Sequence, residues 1–196
     1  MFPVSEDKTE YIQISDSYVN KSVMDGVEIL KIDPEALTLL TQRAFKDVSH
    51  LLRKSHLKQL KDILDDKDAS QNDHFVALTM LKNANISSAG VLPMCQDTGT
   101  AIIMGYKGEN VFTNCDDSKH ISLGVYNTYK ENNLRFSQLA PLSMFEEKNT
   151  SNNLPAEITL FASQGIEYKF AFVQKGGGSA NKSFLRFVFN LKLWPR

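Results

Sequence analysis

The chain predicts an α+β fold in which an N-terminal helical layer packs on a mixed or antiparallel sheet. Three observations predict it. Apolar residues recur at helical spacing between about 34 and 82, β-branched and aromatic runs take over from Gly90, and Gln164-Gly165 separates two such runs as a hairpin turn does. The 196 residues are 42% hydrophobic and 23% charged, enough to build one sizeable core.

Residues 1–32 read as an N-terminal arm, with β-leaning fragments at Tyr11 to Ile14 and Val27 to Leu30. At Asp33-Pro34 the signal sharpens: Asp33 is a good N-cap, proline suits the first helical position, and Leu37, Leu40, Ala44, Val48 and Leu51 follow at spacings of three and four. This predicts a helix over 34–52. Leu57, Leu60, Ile63 and Leu64 predict a second, which stops at the charged run Asp65 to Asp68, and Phe75, Leu78 and Leu81 predict a third over about 73–82. Next come strands at Val91-Leu92, Thr100 to Met104 and Asn110 to Thr113, the last two joined by a turn at Gly105 to Glu109. Tyr126 to Lys130 has a weak helical pattern. Pro141 and the polar run Glu146 to Asn153 read as a loop, and Glu157 to Ser163 and Ile166 to Val173 as the two arms of a hairpin. The end, Arg186 to Arg196, alternates like a strand, with Phe187, Phe189, Leu191 and Leu193 forming an uncovered apolar face that predicts a solubility liability. There is no repeat and no low-complexity segment.

A net charge of -1 and a pI near 6.4 provide no field for nucleic acid or an anionic membrane surface. The first residues lack an apolar signal region, and no stretch reaches the ~20 apolar residues of a membrane helix. A cytoplasmic protein, mature from its first residues, is expected. Only Cys95 and Cys115 are present, too few for a secreted disulfide framework and consistent with a reducing compartment.

Chemistry concentrates in Leu92 to Thr100, where a cysteine sits between a proline and a glycine beside an amide and a carboxylate. Pro93 and Gly99 shape that loop, and the strand after it anchors it, so Cys95, Gln96 and Asp97 are presented together. Cys95 has two readings. A lone thiol is commonly a small buried hydrophobe, whereas these neighbours suit a nucleophile or a metal or cluster ligand. Cys115 lies beside Asp116 and Asp117, which oppose thiolate formation, and reads as incidental. Neither cysteine belongs to a C-x-x-C pair, which disfavours zinc and thioredoxin chemistry.

A second concentration, Lys175 to Ser183, has three glycines directly after a strand, flanked by Lys175 and Lys182. Backbone N–H groups in such a turn can approach an anion or carboxylate closely; the nucleotide P-loop is missed because Asn181 stands where that motif needs glycine. Arg135 has the donor fork for bidentate carboxylate binding. His50, His56, His74 and His120 show no partner spacing and are assigned no role, with His50 and His56 read as surface or packing residues.

Phe45 to His50, Asn72 to Leu78, Leu92 to Thr100, Leu134 to Pro141 and Lys175 to Ser183 are long, unusual words. Together they closely resemble the class I, iron–sulfur-dependent fumarate hydratases and the related alpha-type tartrate dehydratase domains. The resemblance implies a hydro-lyase that reversibly hydrates fumarate to malate, using a 4Fe–4S cluster held by three cysteines. By position, Cys95 is similar to the first cluster ligand, Gln96 and Asp97 to substrate-contacting residues, Arg135 to a carboxylate clamp and Gly178 to a backbone donor to the dicarboxylate. Asp97 would position a proton relay or water.

The resemblance divides the chain into the arm, an incomplete catalytic domain over 33–185 and a divergent tail over 186–196. Beyond that point the family continues, and the other two cluster cysteines have no counterpart here. Two readings follow: the N-terminal part of a class I hydro-lyase, or a non-catalytic remnant or interaction subunit that associates with a full-length copy. A third, an unrelated enzyme with Cys95 as nucleophile, requires an activity that survives without iron. The choice between fumarate, tartrate and related hydroxy-diacids stays open, as does a homodimer.

Overall fold

The computed structural model describes residues 11–176. Gly178 and the tail over 186–196 lie outside them.

The arm contributes the first hairpin. β1 (Val19–Met24) and β2 (Val27–Ile32) pair antiparallel, joined by Asp25-Gly26 with φ of 51° and 81°. Two consecutive positive φ values make a primed turn, whose twist matches the strands, and Asp-Gly is a sequence that supplies it. The β-leaning Tyr11 to Ile14 is in no regular element; the strand lies farther on, at β1.

Helix α1 (Pro34–His50) starts as expected, with the Asp33 carboxylate accepting from the Glu35 N–H at 3.0 Å. It ends at His50, and its buried face is rotated from the expected one: Leu37, Thr38, Thr41, Phe45 and Ser49 point inward, while Val48 and Leu51 are exposed. The reason is α4 (Asp117–Glu131), which approaches α1 at Gly124. A Cβ there would meet the Thr41 Cβ at 2.6 Å, so two threonines and a glycine replace larger apolar residues at the crossing. α2 (Lys54–Asp65) and α3 (Gln71–Ser87) pack on each other; Ser70 and Asp73 close a capping box at the start of α3.

The expected strand at Val91-Leu92 is a loop. β3 (Thr100–Gly108) is longer than expected, and the proposed turn at Gly105 is strand interior. Glycine stands there because the Leu160 and Phe170 side chains fill the space a Cβ would take, at 2.7 and 3.0 Å. β4 (Val111–Phe112) leaves that sheet and pairs parallel with β2. The run around 146–153 holds a short strand, so that β5 (Leu139–Pro141) and β6 (Glu147–Asn149) form a second small hairpin.

The last two strands, β7 (Glu157–Ser163) and β8 (Tyr168–Lys175), are not paired with each other. β3 lies between them, parallel to β7 and antiparallel to β8, so the sheet is mixed. The chain does reverse at Gln164-Gly165, but over the end of β3: Gly108, Glu109 and Asn110 donate their N–H groups to Glu167, Ser163 and Gly165 at 2.8, 2.9 and 3.1 Å. Strands flanking a third are about twice the ~4.8 Å strand spacing apart, which a tight two-residue turn does not span. Periodicity located the reversal but not the strand inside it.

The core lies between this sheet and the α1–α4 pair. Leu37, Phe45, Ala101, Ile103, Ile121, Val125, Tyr129 and Leu134 form it, and Phe45 meets Phe172 edge-on at 5.5 Å. Among the described residues no helix is long and apolar enough to cross a membrane.

Candidate functional site

The loop before β3 is fastened at many points. The Met94 N–H donates to the Ser49 carbonyl at 2.9 Å, and the carbonyls of Val91 and Met94 accept from the side-chain amides of Asn133 and Asn83 at 2.9 and 2.7 Å. At the far end Thr98 and Gly99 are buried. The Thr98 hydroxyl donates to the Arg135 carbonyl at 2.7 Å, and the Tyr129 hydroxyl donates to the Thr98 carbonyl at 2.9 Å. Gly99 has φ +58°, and the Lys175 backbone occupies the space of a Cβ, so only glycine lets the loop pass there. Each internal hydrogen bond of this kind contributes about 1 kcal/mol, and leaving a buried partner unpaired costs more.

Between these anchors Cys95 and Gln96 are exposed. The reading of Cys95 as a buried hydrophobe therefore does not hold. Its Sγ accepts the Asp97 N–H at 3.4 Å, the kind of contact that stabilises sulfur carrying negative charge. Asp97 is half-buried, with its carboxylate against the Cα of Gly176. Arg135 has an exposed side chain, and its carbonyl belongs to the same knot through Thr98. The loop that carries Cys95 and Asp97, the Arg135 backbone and the start of the glycine-rich turn thus lie at one end of β3 and β8. A cleft of about 330 Å³ beside them is lined by Gly99, Thr100, Ser137, Glu157, Lys175 and Gly176, among others; Cys95, Gln96 and Arg135 lie outside its lining.

Several positioning residues gave no sequence signal. Tyr129 is buried, which pushes its hydroxyl up to about 12 despite the hydrogen bonds with Gln174 and Thr98. Gln174 links it to Ser49, at 3.2 and 2.8 Å. Asn153, fully buried with φ 56°, accepts the N–H groups of Ser137 and Gln138 at 2.8 and 3.1 Å and donates to the Gly99 carbonyl at 2.9 Å. Such a side chain does the work of backbone pairing in an irregular segment, and asparagine tolerates the left-handed conformation. His50 is buried, its Nδ1 2.7 Å from the Lys46 carbonyl and its Nε2 without a partner among the described residues, which makes it a packing residue; His56 is exposed.

Cys115 belongs to another cluster. Lys107 donates to Asp117 and Thr113, both at 2.7 Å, and the Tyr168 hydroxyl donates to Asp117 at 2.9 Å. Burial would raise the Asp117 carboxyl, but the hydrogen bonds from Lys107, Thr113 and Tyr168 outweigh it and hold the carboxyl below its ordinary value. Burial, then the nearby Asp117 charge, pushes the Cys115 thiol up, as its acidic neighbours predict. The seven residue-to-residue steps from Thr100 to Lys107 separate this cluster from the Cys95 loop by ~23 Å of strand. Cys115 is thus out of reach of any site built on Cys95. Among the described residues no group of three or more His, Cys, Asp or Glu side chains could hold a metal ion. Cys95 does fit one corner of a larger ligand set, being an accessible thiol, backed by an N–H, on a fastened loop.

Comparison with known proteins gives the chain a family. A family profile described as Fumarate hydratase (Fumerase) matches residues 38–194, a range that reaches into the stretch set apart above as a tail. The chain is 56% identical over 184 residues to the anaerobic class I fumarate hydratase of Escherichia coli (strain K12), covering 94% of this chain and 34% of that protein. It is 58% identical over 185 residues to mitochondrial fumarate hydratase 1 of Leishmania major, covering 93% and 34%, and 49% identical over 180 residues to fumarate hydratase 2 of the same organism, covering 91% and 32%. The chain spans about a third of the length of these curated relatives. By sequence match and by the resemblance of its site words alike, it belongs to the fumarate hydratase family.

Proposed function

We propose that this chain carries the N-terminal share of a fumarate hydratase-type active site, acting in the reversible hydration of fumarate to malate in the cytoplasm. What supports the reading most is one contact: the Asp97 N–H donates to the Cys95 sulfur on a loop fastened by α1, α3 and α4. A metal-ligating thiolate needs such a donor, and a substrate-contacting carboxylate beside it needs such rigidity.

In this reading Cys95 holds one corner of a 4Fe–4S cluster, and the remaining ligands come from outside the described residues. The chemistry a bound cluster supplies there is Lewis acidity toward the hydroxyl that arrives or departs. Arg135 clamps one substrate carboxylate through its guanidinium fork, and Gly178 offers a backbone N–H to the dicarboxylate. The exposed Gln96 amide contacts the substrate. Asp97 holds a proton or a water at its carboxylate, in a half-buried setting where that charge is less screened than in bulk water.

The test is anaerobic reconstitution with iron and sulfide, with iron content measured per chain and fumarate hydration followed by its ultraviolet absorbance. The reading expects iron binding that falls in Cys95→Ser and persists in Cys115→Ser. Turnover by the chain alone would make it an enzyme in its own right. Iron binding without turnover by a folded chain would favour the non-catalytic subunit, and activity that survives iron removal would overturn the proposal.

A further inference from the structure

The glycines around the site differ in what they are for. Gly26, Gly90 and Gly165 have φ of 81°, 73° and 88° with nothing within 4 Å of a built Cβ, so glycine serves the backbone there. Gly176 is the reverse. Its φ lies outside the left-handed region, and the three atoms nearest a built Cβ all belong to one group, the carboxylate of Asp97. Backbone conformation asks for no glycine at 176; the carboxylate of Asp97 does.

We infer that Gly176 is a positioning residue whose missing side chain forms the seat of the Asp97 carboxylate. The seat is firm because the sheet sets it: Lys175, the last residue of β8, pairs in register with Thr100, the first of β3, and Gly99 crosses the Lys175 backbone without a side chain. Gly99 therefore lets the cysteine loop pass the backbone at the end of β8, and Gly176 leaves room beside it for the Asp97 carboxylate. A methyl group at 176 evicts the carboxylate and leaves the chain path intact. This rests on the reading that Asp97 contacts substrate, and it assigns to the glycine-rich turn a second task besides offering N–H groups to an anion.

The test is a double-mutant cycle on the full chain, with Gly176→Ala, Asp97→Ala and both together, each unfolded in urea and titrated with fumarate by NMR. Overpacking of this kind lowers the urea midpoint by roughly 1 M. With Asp97 intact, Gly176→Ala should produce that shift and weaken fumarate binding several-fold; in the Asp97→Ala background it should shift the midpoint by about 0.3 M or less and leave fumarate affinity where Asp97→Ala alone put it. Equal shifts in both backgrounds, or a Gly176→Ala chain that fails to fold whether or not Asp97 is present, would overturn the inference. Coupled midpoints in chains that never bind fumarate would support the seat and count against the substrate reading, so the two ideas fail separately.

Discussion

The buried Tyr129 hydroxyl stands 2.9 Å from the Thr98 carbonyl and accepts from the Gln174 amide at 3.2 Å, which ties α4, β8 and the cysteine loop at one atom. Tyr129→Phe should destabilise the chain by about 1–3 kcal/mol, because it leaves a buried carbonyl and amide short of a partner. Hydrogen exchange should speed up across 94–99 and stay unchanged in α2. Uniform exchange across the chain would show that the tie does not hold the loop.

The same hydroxyl predicts a pH dependence. Its folded value of about 12 lies above the ordinary value of 10, so its contribution is complete below pH 10 and is lost as pH rises through 12. Urea midpoints measured across that window should fall more steeply for the wild type than for Tyr129→Phe.

Asp117 gives the opposite sign. Its folded value is held below the ordinary carboxylate value, so its contribution is present above that value and is lost as pH falls through the folded one. Asp117→Asn should cost about 2–4 kcal/mol at neutral pH, since Lys107 loses its charge partner, and should flatten the acid limb of the stability curve. A variant with an unchanged acid limb would show that another carboxylate controls it.

Gly124→Ala tests the α1–α4 crossing. Helix propensity favours alanine by about 1 kcal/mol, while the clash with Thr41 costs about 1–3 kcal/mol. Net destabilisation in urea is expected, and it should persist in a Thr41→Ser background, which removes the Thr41 Cγ2 at 3.0 Å but keeps the Cβ at 2.6 Å and the Thr38 carbonyl at 2.7 Å.

The two thiols should differ in reactivity. Cys95 is exposed, whereas Cys115 is half-buried and pushed up by burial and Asp117. Iodoacetamide at neutral pH, followed by peptide mass spectrometry, should label Cys95 first. Labelling in the reverse order would contradict the placement of the loop.

What the sequence made legible was local. Asp33-Pro34 marked the start of α1, apolar spacing located α2 and α3, and Pro93 to Gly99 marked the functional loop. What it hid depends on neighbours distant in the chain. Nothing near Gln164 indicates that β3 lies between β7 and β8, and nothing in Asn152-Asn153 says that one of them replaces backbone pairing at Gly99. The inward face of α1 was misplaced because Gly124, 83 residues after Thr41, decides how closely the helices approach. Cys95, Asp97 and the glycine run that begins at Gly176 stood out in the sequence; Tyr129 and Gln174, which hold the loop, did not.

Complementation would show whether this chain supplies the Cys95 and Asp97 share of a hydro-lyase site. The chain would be co-expressed with the part of the anaerobic Escherichia coli class I fumarate hydratase that lies beyond the matched region, reconstituted anaerobically and assayed for fumarate hydration. The co-purified pair should turn fumarate over, with activity lost in Cys95→Ser and retained in Cys115→Ser. Turnover unaffected by Cys95→Ser, or none from a folded, co-purified and iron-loaded pair, would contradict that assignment.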